Sequence, residues 1–440
     1  MAFAPKRPRR DWLYDEEEYA DYEDFYRRVV AWYRGAVDLA PNLFKEKTFP
    51  SYDEFYSLGG LDDAFKDLAR DVRRQEELDA EYLRDGRLPS LNMGRQPVIA
   101  VIYGPTGSGK SHLIRALLSC DMLQPVPETV IFVTPERSMI PPVEQTAWTA
   151  QLLQSNYRCK PDGTFAPKTG AFRPEFIELT YDEATAPHNL NIEHPDNLYV
   201  QKARRGPLAV VLDECMDRLC TGSSVSVLFH ALPSKLFARS AQCTAFYMIV
   251  VLHNMAPRTA VGNVPTLKIN AKIHLVSCHI PQFQFAKFLY AFAHNISKDL
   301  VVLLRAYFAY LQTHKRYSWV AYTPDPVAES FRWCTVDKDL AIIPLNVNIQ
   351  ERFLLAAQQV LRFAARHRKQ LDPPPRWVRV EPVVAASGPA EHASRGPAVL
   401  PELAPGPAEG AASPPPSPTP SSSSPSAGLP PGPQGRAAAP

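Results

Sequence analysis

The chain has 440 residues, 45% apolar and 21% charged, a globular balance that excludes collagen-like and fibrous architectures and leaves material for one or two cores. Lys and Arg total 48 against 46 for Asp and Glu, so a formal charge of +2 gives no bulk attraction to polyanions, and any nucleic-acid site has to be a local patch. Seven scattered cysteines without a CxxC pair exclude a readable disulfide framework or zinc site, and no stretch is long and apolar enough for a signal peptide or membrane span, so a soluble intracellular protein is expected.

Residues 1–52 read as a basic and acidic arm. Lys6, Arg7, Arg9 and Arg10 form a short cluster of the nuclear-import kind, and eight carboxylates follow between Asp11 and Asp24. Adjacent like charges repel and nothing positions them, so this run is expected to be solvated or to meet a partner, not to do acid–base chemistry. Residues 53–94 carry helical spacing, as in Phe65, Leu68, Ala69 and Val72, then Leu78, Tyr82 and Leu83.

From Pro97 the pattern changes to short β-branched runs at 98–103, 130–134, 208–212, 246–252 and 273–277. Runs that are apolar throughout suit strands buried on both faces of a parallel sheet, and 95–282 is assigned as the α/β core. Helical patterns return at 283–293, at 297–312 with Ser297 as N-cap, and at 349–369, so 283–381 is expected to be a helical C-terminal domain with a possible DNA contact. The last 59 residues, 382–440, hold 16 of the 44 prolines among Ala, Ser and Gly, too few large apolar side chains to offset the entropy of ordering, and are expected to be disordered.

Chemistry concentrates in the α/β core. Gly104, Pro105, Thr106, Gly107, Ser108, Gly109, Lys110 and Ser111 complete the GxxxxGK[ST] phosphate loop, preceded by a predicted strand and followed by a predicted helix, 112–119. Its inward N–H groups and the helix N-terminus suit ATP phosphates, Lys110 reaches the β- and γ-phosphates, and Ser111 offers a hydroxyl to Mg²⁺. A second element is a carboxylate at the end of a buried strand: Asp213 is expected in the Mg²⁺ shell and Glu214 as the general base that polarises water. A polar residue at the tip of the 246–252 strand completes the set as a sensor of the γ-phosphate, Asn254 first and His253 second. These features predict a P-loop NTPase of the additional-strand, catalytic-glutamate class. Arg218, Arg239 and Arg258 are equal candidates for an arginine finger.

Three basic groups could meet DNA phosphate: Lys202, Arg204 and Arg205; His314, Lys315 and Arg316; and the end of the C-terminal helix, where Arg362, Arg366 and Lys369 stand beyond an apolar stripe running from Ile349 to Ala364. Tyr317 and Trp319 read as core or cap residues ahead of base-stacking platforms.

GPTGSGKS at 104–111, PETVIF at 127–132, MIPP at 139–142, LDECM at 212–216, FHALPSKL at 229–236 and VVLHNM at 250–255 together resemble the adenovirus packaging ATPase family, over roughly 58–369. The resemblance implies a late viral protein of the host nucleus (nucleoplasm and nucleolus) and of the virion. It would bind repeats on double-stranded viral DNA and assemble, as a homo-oligomer and with other packaging proteins, at a capsid vertex to drive encapsidation. It also implies activation of the viral major late promoter through elements downstream of its start. By the same matches Lys110 and Ser111 become nucleotide contacts, and Asp213 and Glu214 the Mg²⁺ and base residues. The short acidic arm and the Pro/Ser tail depart from the family pattern. Two other readings compete: a DNA-binding transcription factor that uses ATP only as an assembly switch, and a small-molecule kinase, which would need an arginine-rich lid that the helical C-terminal pattern does not supply.

Overall fold

Five of the apolar runs are the middle of one sheet. The computed structural model describes residues 16–84, 96–119, 125–139, 174–221, 226–229, 231–239, 244–255 and 263–368, with islands at 91, 123, 142–143, 148, 157–159 and 165–167. The strands are β1 (Val98–Tyr103), β2 (Thr129–Thr134), a separate hairpin of β3 (Tyr157–Cys159) and β4 (Phe165–Pro167), β5 (Glu175–Thr180), β6 (Leu208–Leu212), β7 (Phe246–Leu252), β8 (Ile273–Ser277), β9 (Trp319–Tyr322), β10 (Trp333–Val336) and β11 (Ile342–Pro344). The main sheet runs β11-β10-β9-β8-β1-β7-β6-β2-β5. All pairings from β8 to β5 are parallel, whereas β8–β9, β9–β10 and β10–β11 are antiparallel. Strand β7 thus stands between the loop strand β1 and the acid strand β6. That inserted strand defines the additional-strand order of P-loop NTPases, the fold class expected from the sequence.

From β8 to β2 both faces of the parallel strands are covered, which is why their sequences are largely apolar, whereas the edge strand β5 is half-exposed. Along β1, Ile99, Val101 and Tyr103 face one core and Val98, Ala100 and Ile102 the other. The second core is closed by helix α4 (Lys110–Ser119) through Leu113, Ile114 and Leu117. Against the first lie helices α1 (Glu16–Leu39), α2 (Tyr52–Ser57), α3 (Asp63–Arg84), α5 (Gln282–Phe292), α6 (Lys298–His314) and α7 (Val347–Arg366), the short helical segments between β5 and β8 being left unlabelled. Ser297 caps α6 by accepting the Leu300 N–H at 3.4 Å.

Two sequence expectations are corrected here. Residues 16–52 are not an arm: Phe25, Tyr26, Val29, Trp32 and Ala36 recur at helical spacing on α1 and are buried. Trp32 Nε1 donates to Gln350 Oε1 of α7, the Phe25 and Phe353 rings stack at 5.6 Å, and the Tyr26 hydroxyl donates to the Pro50 carbonyl at 2.6 Å. Asp21 and Asp24 are exposed on its outer face, so these charges coat a helix whose other face is buried. Nor is 283–381 a separate helical domain: β9, β10 and β11 extend the core sheet, with the Cys278 N–H donating to the Ser318 carbonyl at 3.1 Å where β9 joins β8. Among the described residues no helix is long and apolar enough to cross a membrane. The basic cluster at 6–10 and the 382–440 segment lie outside the described residues.

Candidate functional site

The phosphate loop leaves the end of β1 and is pinned to its neighbour strand by the Gly104 N–H, which donates to the Leu252 carbonyl of β7 at 3.0 Å. Gly107 and Gly109 have φ of 77° and 84°, left-handed values that a side chain would strain, and they turn the chain into α4. Lys110 is 6% exposed and its Nζ donates to the Pro105 carbonyl at 3.0 Å, so its cation lies across the loop it would share with phosphate. Ser108 is 2% exposed and its hydroxyl has no hydrogen-bond partner among the described residues. A buried orphan hydroxyl carries a desolvation cost of about 1–3 kcal/mol, and an anion seated in the loop would relieve it. The loop therefore fits a polyphosphate on the strength of its own geometry.

The acids stand two strands away. Strand spacing of about 4.8 Å puts the ends of β1 and β6 about 10 Å apart with β7 between, room for a terminal phosphate, a cation and a water. Asp213 is buried, its N–H donates to the Val133 carbonyl at 2.9 Å, and its Oδ1 accepts the Glu214 N–H at 3.0 Å. Glu214 adopts φ 55°, a left-handed backbone that is costly for a residue with a side chain. Its Oε2 lies 2.6 Å from His253 Nε2 at the tip of β7. Of the two sensor candidates, then, the structure joins His253 to the proposed base. Asn254 sits beside it, half-buried. The neighbouring Cys215 is buried and its thiol is pushed up by burial, then by Asp213 and Glu214, so it stays protonated and unreactive.

On the other flank of the loop stand Ser277 and His279, which no motif marks, beside Arg316 and Tyr317 of the basic run. Ser277 ends β8 and its Oγ accepts the His279 N–H at 3.1 Å, while Arg316 Nε donates to His279 Nε2 at 2.9 Å. An arginine can only donate, so Nε2 accepts and Nδ1 carries the proton toward Ser277 Oγ, 3.3 Å away. Burial first, then the Arg316 cation, hold His279 below the usual imidazole range, consistent with a neutral ring. Tyr317 packs on that ring at 5.3 Å and is 59% exposed, whereas Trp319 is a core residue at 3%. The aromatic beside a basic run was the available signal.

The remaining candidates are scattered. Arg218 pairs with Asp182 at 3.9 Å, and the Arg239 side chain and Arg258 lie outside the described residues. Lys202 and Arg205 both pair with Glu175, at 2.5 and 3.4 Å, which neutralises part of that basic group. Arg362 and Arg366 are exposed on the outer face of α7, Arg362 donating to Gln358 at 3.4 Å, and Lys369 lies outside the described residues.

A family model described as adenovirus IVa2 protein matches residues 14–377, so the family pattern begins in the segment read from sequence as a departure from it. Packaging protein 1 of Fowl adenovirus A serotype 1 (strain CELO / Phelps) is 68% identical over 375 residues, 85% of each chain, and Packaging protein 1 of Human adenovirus C serotype 5 is 39% identical over 332 residues, 74% of each. Among solved structures, the genome packaging NTPase B204 from Sulfolobus turreted icosahedral virus 2 in complex with ATP-gammaS is similar at TM-score 0.31 and 12% identity, over 54% of this chain and 96% of that one. Matched along most of its length and at this level of identity, the chain belongs to the adenovirus IVa2 protein family.

Proposed function

We propose that this chain binds and hydrolyses ATP to help drive double-stranded viral DNA into a preformed capsid. The observation that carries the reading is the alignment of Lys110, Asp213 and Glu214 at one end of β1, β7 and β6, with His253 bonded to the Glu214 carboxylate. A site meant only to hold nucleotide has no need of a carboxylate held in a strained backbone beyond the metal-binding acid. Ser111 and Asp213 would hold Mg²⁺, which would supply positive charge against the phosphates. Lys110 neutralises the terminal phosphates, Glu214 takes a proton from water, and His253 orients that carboxylate.

The packaging role rests on the name the relatives share, Packaging protein 1. Recognition of packaging repeats, assembly with other packaging proteins at a capsid vertex, homo-oligomerisation, residence in the host nucleus and virion, and activation of the major late promoter belong to the same proposal. For DNA, the exposed Arg362 and Arg366 are the first contact we assign, as phosphate ligands without sequence choice. Equilibrium binding of labelled ATP tests the nucleotide reading: Lys110→Ala should lose tight binding while remaining folded. Unchanged affinity in that variant would remove the loop from the account.

A further inference from the structure

Deepening the nucleotide reading, and resting on it, is a question the motif leaves open: where the nucleoside goes. The acids that face the terminal phosphate lie on β6, to one side of β1, so the triphosphate runs along the loop with its other end toward β8 and β9. On that side a cavity of about 180 Å³ opens against the last part of the loop and the first turn of α4, at Ser108, Gly109, His112 and Leu113. Its opposite wall comes from the antiparallel half of the sheet: Tyr317, Trp319 and the β10–β11 turn at Asp337, Lys338 and Leu340.

We propose that this cavity is the base subsite, taking the purine of the same nucleoside triphosphate, with the Tyr317 ring as the stacking face. Several features fit a built site. The Tyr317 ring rests on His279, which Arg316 and Ser277 hold from both ring nitrogens, so the stacking face is braced before a ligand arrives. The turn is preformed: Asp337 Oδ1 accepts the N–H groups of Asp339 at 2.8 Å and Ala341 at 2.9 Å, and Leu340 takes φ 64° with its side chain 5% exposed. Leu340, Leu113 and Trp319 give the slot an apolar lining, while the exposed Lys338 supplies a cation at its rim. Ser108, whose orphan hydroxyl an anion in the loop would satisfy, also lines this cavity, so the slot opens directly onto the phosphate site. The chain Gly104, Ser277, His279, Tyr317 also links the base wall to the loop, because a Cβ on Gly104 would stand 3.0 Å from Ser277 Cβ.

The test compares two probes, ATP and inorganic tripolyphosphate with Mg²⁺, on the full chain. Tyr317→Ala removes an exposed ring and should weaken ATP by about tenfold, within the usual scale of base–aromatic stacking, and leave tripolyphosphate affinity unchanged. Tyr317→Phe keeps the face and should restore ATP binding. Photolabelling with 8-azido-ATP should mark the peptides around Tyr317 and 337–341. Wild-type ATP affinity in Tyr317→Ala, or label confined to peptides of β2 and β5, would overturn the base subsite and leave the phosphate loop standing. A wild-type chain that binds neither probe would instead overturn the nucleotide reading, and the subsite with it.

Discussion

The two halves of the sheet are built by different means. From β8 to β2 the strands are parallel, up to seven residues long and buried on both faces, and they carry the loop and the acids at their C-terminal ends, with the half-exposed β5 closing that edge. From β9 to β11 they are antiparallel, three or four residues long, and their apolar side chains are divided between the two cores. The parallel half holds chemistry that recurs wherever phosphate is bound, so its residues form motifs. The antiparallel half supplies shape around the site, and shape can be made from many sequences.

The largest effect is expected in α1, which packs into the first of the two cores from the N-terminal end of the chain. Trp32 is fully buried and its indole N–H bonds Gln350 across to α7. Trp32→Ala should cost about 3–5 kcal/mol, the usual range for an aromatic deleted from a core, measured by chemical denaturation. A loss below 1 kcal/mol would return residues 16–52 to the status of an arm. A smaller effect is expected at the acid end of the parallel half: His253→Ala should lower turnover by about tenfold with ATP affinity unchanged, since it removes the partner that orients Glu214 but no group on the phosphates. Faster turnover would mean that His253 restrains the base. The smallest effect concerns α7, where replacing Arg362 and Arg366 by Ala should flatten the log-affinity against log-salt slope for duplex DNA by roughly one unit per lost contact. A wild-type slope would remove this helix end from the DNA interface and turn attention to exposed Arg204 and its neighbours.

What the sequence made legible follows the same division. Four of the five strands predicted from apolar runs have the same bounds in the structure, and the fifth begins one residue earlier, because burial on two faces leaves no room for polar substitutions. The edge strand β5, half-exposed and carrying Glu175 and Glu178, shows no such run. Strands such as WVAY and WCTV are too short to show a period against the helices around them. In α1 the period was present, at Phe25, Val29, Trp32 and Ala36, but eight nearby carboxylates gave a louder signal. Lys110 could be named from the phosphate-loop motif, and Asp213 and Glu214 from a strand end; the Glu214–His253 bond and the Tyr317 wall depend on which strands become neighbours, and that order is a property of the fold.

The central claim is that Glu214 makes this a hydrolysing site and not a nucleotide-gated scaffold. Single-turnover hydrolysis of ATP by wild type and Glu214→Gln, with and without packaging-site duplex, tests it directly, because glutamine keeps the side chain's shape but cannot take a proton from water. The account predicts equal ATP affinity for the two proteins, turnover in the variant lower by about 10²-fold or more, and stimulation by DNA in wild type alone. Equal turnover in the two, or no hydrolysis by wild type with DNA present, would contradict it.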